Sequence, residues 1–545
     1  MARTLASVIA ESLVAAGITH AFCVPGESYL PLLDALRDMP LRLVTCRHEA
    51  AAAHMAEAAG KLAGRPGVAL VTRGPGATHA AIGLHTAQQD STPLLLLIGQ
   101  VGDDCVGREA FQEMDYHRLF GSVAKRVVTL REPARAGEQV AAALACAMSG
   151  RPGPVVVVLP DDRLALPSDA AAAPPAAVEP PAPSAEALAT LAALLASAKR
   201  PVLLLGGPGW READRLAAEA VAERLGLPVV TAWRRKDRFD NRHPHYAGEL
   251  GLGANPALVA AVREADLLLV VGARLTENET QGYDLLDDAF ASRALVHACA
   301  DPDALGRVWQ PRLAIHAAPG PMLAALATLP PARRPAWVAR LAALHAAWIA
   351  PTAVAAGVNP AEVVRLLGER LGPHAIVCNG AGNFAAWVHR FTLHRRVGTQ
   401  LAPVSGAMGY GVPAAIAAAL VAPGRPVACV AGDGDVLMAA GELATAMHEG
   451  ARVLFVVMDN GQYGTIRMHQ ARHYPGRPVA TALTNPDFAA LARSFGLHAE
   501  TVEDTAAFAP ALERALAALD ARPALLHCRL DPAEIAPGRR LEPGA

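Results

Sequence analysis

Three consecutive α/β domains, each built on a mainly parallel sheet, are what this sequence predicts. Three observations carry that expectation. The chain has 545 residues, enough for about three domains of ordinary size. Short continuous Val/Leu/Ile runs alternate with amphipathic stretches along its length, the mark of strands buried on both faces and covered by helices. Two weakly patterned zones interrupt that alternation: the Ala/Pro-rich stretch 166–187, which reads as a semi-rigid linker, and residues around 328–358. The expected domains are therefore 1–165, 188–328 and 358–535.

The first block offers strands at 41-LRLVTC-46, 67-GVALVT-72, 94-LLLLIG-99 and 154-PVVVVLP-160. The second offers 201-PVLLLG-206, 227-LPVVTA-232 and 266-DLLLVVG-272. The third offers 375-AIVCNG-380, 426-PVACVAG-432, 452-RVLFVVMDN-460 and 524-ALLHCRL-530. The opening residues have helical apolar spacing interrupted by Glu11, so an ordinary amphipathic helix is expected rather than a signal peptide. A net charge of −2 with no basic stripe gives no footing for nucleic acid. The aliphatic runs are strand-sized, so no membrane span is expected. The eight cysteines are scattered without a CxxC pair, which fits a reducing cytoplasm better than a disulfide framework or a zinc site.

The stretch 431-AGDGDVLMAAGE-442 carries the chemistry. It is not a calcium loop, because the fifth and sixth positions counted from Asp433 are Leu437 and Met438. Two readings remain: a plain strand-to-helix turn, or half of a metal–phosphate site. The strand 426–432, a helix expected over about 437–449 and the strand ending at 459-DNGQYG-464 make a β-α-β unit, whose two strands open on one sheet edge. If the strands are neighbours, Asp433 and Asn460 lie side by side. With the backbone carbonyl of Gln462 they supply hard oxygen donors suited to Mg²⁺. Gly432 and Gly434 permit close backbone approach. The helix N-terminus beyond them offers free N–H groups to a phosphate.

GDG, followed a helix and a strand later by an Asn pair, resembles the signature of thiamine-diphosphate-dependent enzymes, with Asp459 in place of the first Asn. The resemblance extends over the chain and is strongest to the acetolactate (acetohydroxyacid) synthase branch, through 47-RHEAAAAHMAEAAG-60, 71-VTRGPGATHA-80, 90-DSTPLLLLIGQ-100, 110-AFQE-113, 151-RPGPVVVVLP-160 and 404-VSGAMGYGVPAAIAAAL-420. It implies pyrimidine-binding, central Rossmann-like and diphosphate-binding domains in that order, with thiamine diphosphate and Mg²⁺ as cofactors. Read alone, Glu49 is first of all a glutamate in the opening turn of a helix. The resemblance makes it the acid beside the pyrimidine ring that activates the cofactor. The resemblance further implies that Met408 wedges the cofactor into a bent form, and that Gly382, Asn383 and Phe384 contact it from the other side. Thr72, Gly74 and Gly76 shape the pyrimidine loop, and Gln112 touches cofactor or intermediate. Gly406, Asp435 and Tyr463 complete the expected cofactor contacts. Glu49 of one subunit is expected to meet the diphosphate domain of another, giving a homodimer or homotetramer.

Several residues depart from the synthase pattern. Glu27 stands where a glycine is usual and is a candidate acid/base, or equally a helix-start charge. His469 stands in place of a tryptophan, His79 in place of an asparagine and Arg73 in place of a serine. The run 272-GARLTENE-279 keeps only Arg274 of the pattern in flavin-bearing members, so tight FAD binding is not expected. The expected activity is decarboxylation of a 2-oxo acid, with pyruvate leading, followed by ligation to a second carbonyl. The alternatives are a decarboxylase or lyase on another 2-oxo or 2-hydroxy acid, a flavin enzyme of the pyruvate-oxidase type, and a catalytically silent homologue. The sequence is silent on a regulatory subunit.

Overall fold

The computed structural model describes residues 3–542. Three six-stranded sheets follow one another along the chain, and every pairing within them is parallel. The strands expected from aliphatic runs are all present. The sheets also contain strands that the runs did not disclose, such as His20–Cys23, Arg126–Thr129 and His498–Val502, because these are short or only half buried. Among the described residues no helix is long and apolar enough to cross a membrane.

The two weakly patterned zones behave differently from a free linker. Residues 168–184 form neither helix nor strand but are held down: Ser168 Oγ donates to Pro133 O at 2.5 Å and Ala318 N–H donates to Pro181 O at 2.8 Å. The second zone contains a helix, Pro335–Trp348, whose Trp337 and Leu341 enter the core of the central domain. Its apolar residues are diluted by alanine and arginine, so its periodicity is weak although its packing is real.

The first and third domains share a core. The helices Glu49–Ala63, Pro75–Asp90 and Gly411–Val421 pack together within one apolar cluster. Alanine and glycine let them approach closely; a Cβ added at Gly83 would lie 2.3 Å from Ala53 Cβ. Buried charge ties all three domains together at Asp90. Its Oδ1 lies 3.1 Å from both Lys61 Nζ and Arg235 Nη2, and its Oδ2 accepts Val404 N–H at 3.0 Å. The run 234-RRKD-237 is fully buried and continues this seam. Arg234 donates to the carbonyls of Pro403 and Gly380, and Gly398 N–H donates to Asp237.

Candidate active site

The strands Val427–Gly432 and Leu454–Asp459 are adjacent and parallel, with Gly432 opposite Met458. Asp433 and Asn460 therefore leave the same sheet edge side by side. The helix after the first strand differs from expectation. It begins at Asp433 itself, stops at Leu437, and a second helix runs from Glu442 to Glu449. The break at 438–441 lets Glu442 turn back, where its Oε1 accepts the N–H groups of Arg47 and His48 at 2.9 and 3.0 Å. The start of the helix Glu442–Glu449 and the start of the Glu49 helix are thus tied through one carboxylate.

A cavity of about 230 Å³ opens at this edge. It is lined by Gly382, Asn383, Phe384, Gly406, Met408, Gly432, Asp433, Gly434, Asp435, Asn460, Gln462 and Tyr463, all of them singled out in the sequence. Its floor has no room for side chains at two glycines. A Cβ at Gly432 would lie 2.8 Å from the Phe384 ring, and one at Gly434 would lie 2.6 Å from Tyr463 Cε1. Gly406 has φ +70, a conformation glycine adopts without strain. The Gln462 side chain is engaged elsewhere, donating to Pro532 O at 2.6 Å, which leaves its backbone carbonyl as the oxygen this residue has to offer. That carbonyl also accepts Gly464 N–H at 2.9 Å, which leaves one lone pair. One carboxylate, one side-chain amide and one carbonyl, all oxygen donors beside a small-residue cradle, fit Mg²⁺ carrying a diphosphate.

The aspartates here have distinct roles. Asp433 Oδ2 accepts Gly461 N–H at 2.9 Å and Asn485 Nδ2–H at 2.7 Å. Burial nevertheless pushes its pKa up to about 6. Asp459 is held below the usual carboxylate range: burial alone would raise it, but hydrogen bonds from His527, Asn485 and Gly461 prevail. Its Oδ2 sits 2.8 Å from His527 Nε2 and 2.6 Å from Arg529 Nη1. These partners give an acidic side chain a reason to stand at this position. Asp435 is buried and braces the loop that carries Met408, accepting Gly409 N–H at 2.6 Å. Burial lifts it to about 7. Asn485, whose amide bridges Asp433 and Asp459 Oδ1, was not foreseen from sequence. It sits in an irregular segment with no local pattern to mark it.

The remaining predicted residues form a second cluster in the first domain. Glu49 opens the helix Glu49–Ala63, directly after the strand Arg42–Thr45. Its Oε2 lies 2.9 Å from His79 Nδ1, and the His79 ring stacks on His48 with centroids 4.6 Å apart. His54, the other histidine of the HEAAAAH run, is buried apart from them beside Thr86. A Cβ at Gly76 would reach within 3.3 Å of Glu49 Oε1 and 3.0 Å of Thr72 Cγ2, so the pyrimidine loop is moulded around both. Thr72 Oγ1 lies 2.8 Å from Ser28 Oγ. Gly74, at φ +57, packs against the Gln112 backbone and donates its N–H to Tyr116 Oη at 2.9 Å. Gln112 is itself left-handed at φ +64, and its Oε1 is buried without a partner. Strain and an unsatisfied acceptor at one residue are features of positions that hold a ligand. Glu27 is 64% exposed and lies 3.7 Å from Arg73 Nη2. None of Glu49, Thr72, Gly74, Gln112 and Glu27 lines the Asp433 cavity of the same chain.

Comparison with known proteins agrees with this division. Residues 3–119 match the family "Thiamine pyrophosphate enzyme, N-terminal TPP binding domain", residues 188–326 its "central domain", and residues 380–528 its "C-terminal TPP binding domain". The chain is 33% identical over 518 residues to the acetolactate synthase large subunit of Parasynechococcus marenigrum, covering 92% of this chain and 83% of that one. It is 32% identical to the acetolactate synthase large subunit of Corynebacterium glutamicum, over 94% of this chain and 84% of that one. It is 31% identical to the acetolactate synthase isozyme 2 large subunit of Escherichia coli, over 96% of this chain and 95% of that one.

Proposed function

Because the chain belongs to the thiamine-diphosphate-dependent enzymes related to acetolactate synthase, we propose that it decarboxylates pyruvate and joins the two-carbon remainder to a second carbonyl compound, giving 2-acetolactate. Bound thiamine diphosphate supplies a carbon nucleophile and an electron sink for decarboxylation. The protein's own residues bind, orient and move protons around it. Asp433, Asn460 and the Gln462 carbonyl would hold Mg²⁺ and, through it, the diphosphate. Met408 and the Gly406 loop, braced by Asp435, would pack against the cofactor. Glu49 would hold or release a proton beside the pyrimidine ring.

The observation that carries this reading is the pairing of two half-sites in one chain, an oxygen-donor cavity at Asp433 and a glutamate cradle at Glu49, that do not line a common cavity. Two copies related by a twofold axis would let each Glu49 meet the partner's diphosphate side. The functional unit is thus a homodimer, or a pair of dimers, with shared active sites. Turnover of purified protein with thiamine diphosphate, Mg²⁺ and pyruvate, with Glu49→Gln as control, tests it. Acetolactate from wild type, and a rate about 10²–10⁴-fold lower in the variant with cofactor affinity retained, is the expected result. Pyruvate left intact by cofactor-loaded protein would sink the pyruvate assignment.

A second reading keeps the cofactor chemistry but changes the acid. The Glu27–Arg73 pair and the His79–Glu49 contact add polar groups beyond what pyruvate, with one carboxylate and a methyl group, would engage. A larger or more polar 2-oxo or 2-hydroxy acid would use them, and a panel of such acids with product analysis separates the two readings.

A further inference from the structure

A second cavity, of about 120 Å³, lies where the central domain, the helix Phe384–Phe391 and the segment 536–539 meet. Its walls are not those of a simple packing gap. Lys236, His345 and His389 line it, and all three are buried.

The hydrogen bonds fix what these side chains offer. Lys236 N–H donates to Gln400 Oε1 at 2.8 Å, which orients the Gln400 amide. Gln400 Nε2 then lies 3.3 Å from His389 Nδ1. An amide nitrogen donates, so His389 Nδ1 accepts. Burial, together with Arg234 and Lys236, holds the His389 pKa well below its ordinary value, so the ring is neutral and its one proton sits on Nε2. That N–H is buried and has no acceptor among the described residues. Lys236 shows the same shortfall. Its Nζ donates to His389 O at 2.5 Å and to Thr392 O at 2.7 Å, while an ammonium group has three donors. His345 Nε2, on the wall formed by the helix Pro335–Trp348, is also buried without a partner among the described residues, but the neutral ring spends its one proton on the Asn241 backbone, so this nitrogen offers an acceptor and not a donor. Lys236, Arg390 and Arg539 outnumber Glu249, the one carboxylate lining the space. Buried donors without acceptors are costly, and a cationic wall selects an anion to satisfy them.

We propose that this cavity binds a short-chain aliphatic carboxylate, of acetate to butyrate size, whose oxygens accept the His389 Nε2–H and the remaining Lys236 ammonium proton. Its apolar end faces Leu252 and Ala386. The site is separate from the Asp433 cavity and shares no lining residue with it. It does not depend on the proposed reaction, because the measurement below reads binding and not turnover.

The test uses the protein loaded with thiamine diphosphate and Mg²⁺. Saturation-transfer NMR with propionate is expected to show saturable binding, weakened at least about tenfold by Ala386→Leu, which fills the cavity from its outer wall, with thiamine diphosphate affinity unchanged. His389→Phe is expected to weaken it similarly. Absence of saturable binding would overturn the proposal and leave a hydrated cavity only. Propionate binding of equal strength in both variants would overturn it too, since the ligand would then sit elsewhere. Crystals soaked in 3-bromopropionate provide a check without mutation. An anomalous bromine peak beside His389 supports the assignment, and peaks only outside this cavity refute it.

Discussion

Asn485→Leu removes the amide that bridges Asp433 Oδ2 at 2.7 Å and Asp459 Oδ1 at 2.8 Å while keeping a side chain of similar size. A hydrogen bond to a charged group contributes about 1.5–3 kcal/mol. Lost from the ionised form of Asp433, that is about 1–2 pKa units at roughly 1.4 kcal/mol per unit. Burial already places Asp433 at about 6. The variant therefore holds its proton to above neutrality, and Mg²⁺ must displace it. Near pH 6.5 the fraction of ionised Asp433 falls roughly tenfold, and apparent Mg²⁺ affinity should fall with it. By about pH 8.5 most of the gap should close, because both forms are then largely ionised. Mg²⁺ titration of thiamine diphosphate binding, followed calorimetrically across this range, is the assay. Equal Mg²⁺ affinity of wild type and variant at the acid end would refute the reasoning that Asn485 keeps Asp433 ionised. A deficit that did not change with pH would point to lost geometry instead.

Gly434→Ala places a Cβ 2.6 Å from Tyr463 Cε1, so the ring must move into the cofactor cavity. Thiamine diphosphate affinity should drop about 5- to 150-fold for an overpacking cost of about 1–3 kcal/mol, measured by titration alongside a thermal melt. Asp90→Ala leaves Arg235 buried without its carboxylate, while Lys61 keeps Glu57 at 3.0 Å, and should cost about 3–5 kcal/mol in urea denaturation. A loss below about 1 kcal/mol would mean the seam is solvated. His394 is held by burial at about 3, so it is neutral in the folded chain. The stability it contributes is complete above its unfolded value near 6.5 and is lost as pH falls towards the folded value. Wild type should therefore lose its advantage over His394→Phe by up to about 1.4 kcal/mol per pH unit below about pH 6.5, read as converging denaturation midpoints.

Much of the site was legible because its parts are short and rigid. The glycine–aspartate–glycine turn, the Asn460 strand end and the Glu49 helix start each follow from a local pattern, and each lies where that pattern places it. The single helix expected over 437–449 was misjudged because apolar spacing continues through a turn that exists to deliver Glu442 to Arg47 and His48. The helix Pro335–Trp348 escaped notice because alanine carries little periodic signal, although its Trp337 is core. A run of four charged residues, as at 234–237, ordinarily marks a solvated face. They are buried because each finds a carbonyl, amide or carboxylate across a domain boundary.

The sequence by itself determined the fold class and the order of three α/β units, and it brought forward Asp433, Asn460 and Glu49 as candidate metal and cofactor residues. Those depend on residues near one another in the chain and on the fixed hand of β-α-β crossovers. Tertiary structure alone decided which carboxylate holds its proton, that Asn485 joins Asp433 to Asp459, and that His79 meets Glu49. It alone showed that Lys236 and His389 enclose a cavity with donors to spare. Each of these pairs residues 26 to more than 150 positions apart, and the burial that shifts their protons exists only once the sheets have packed.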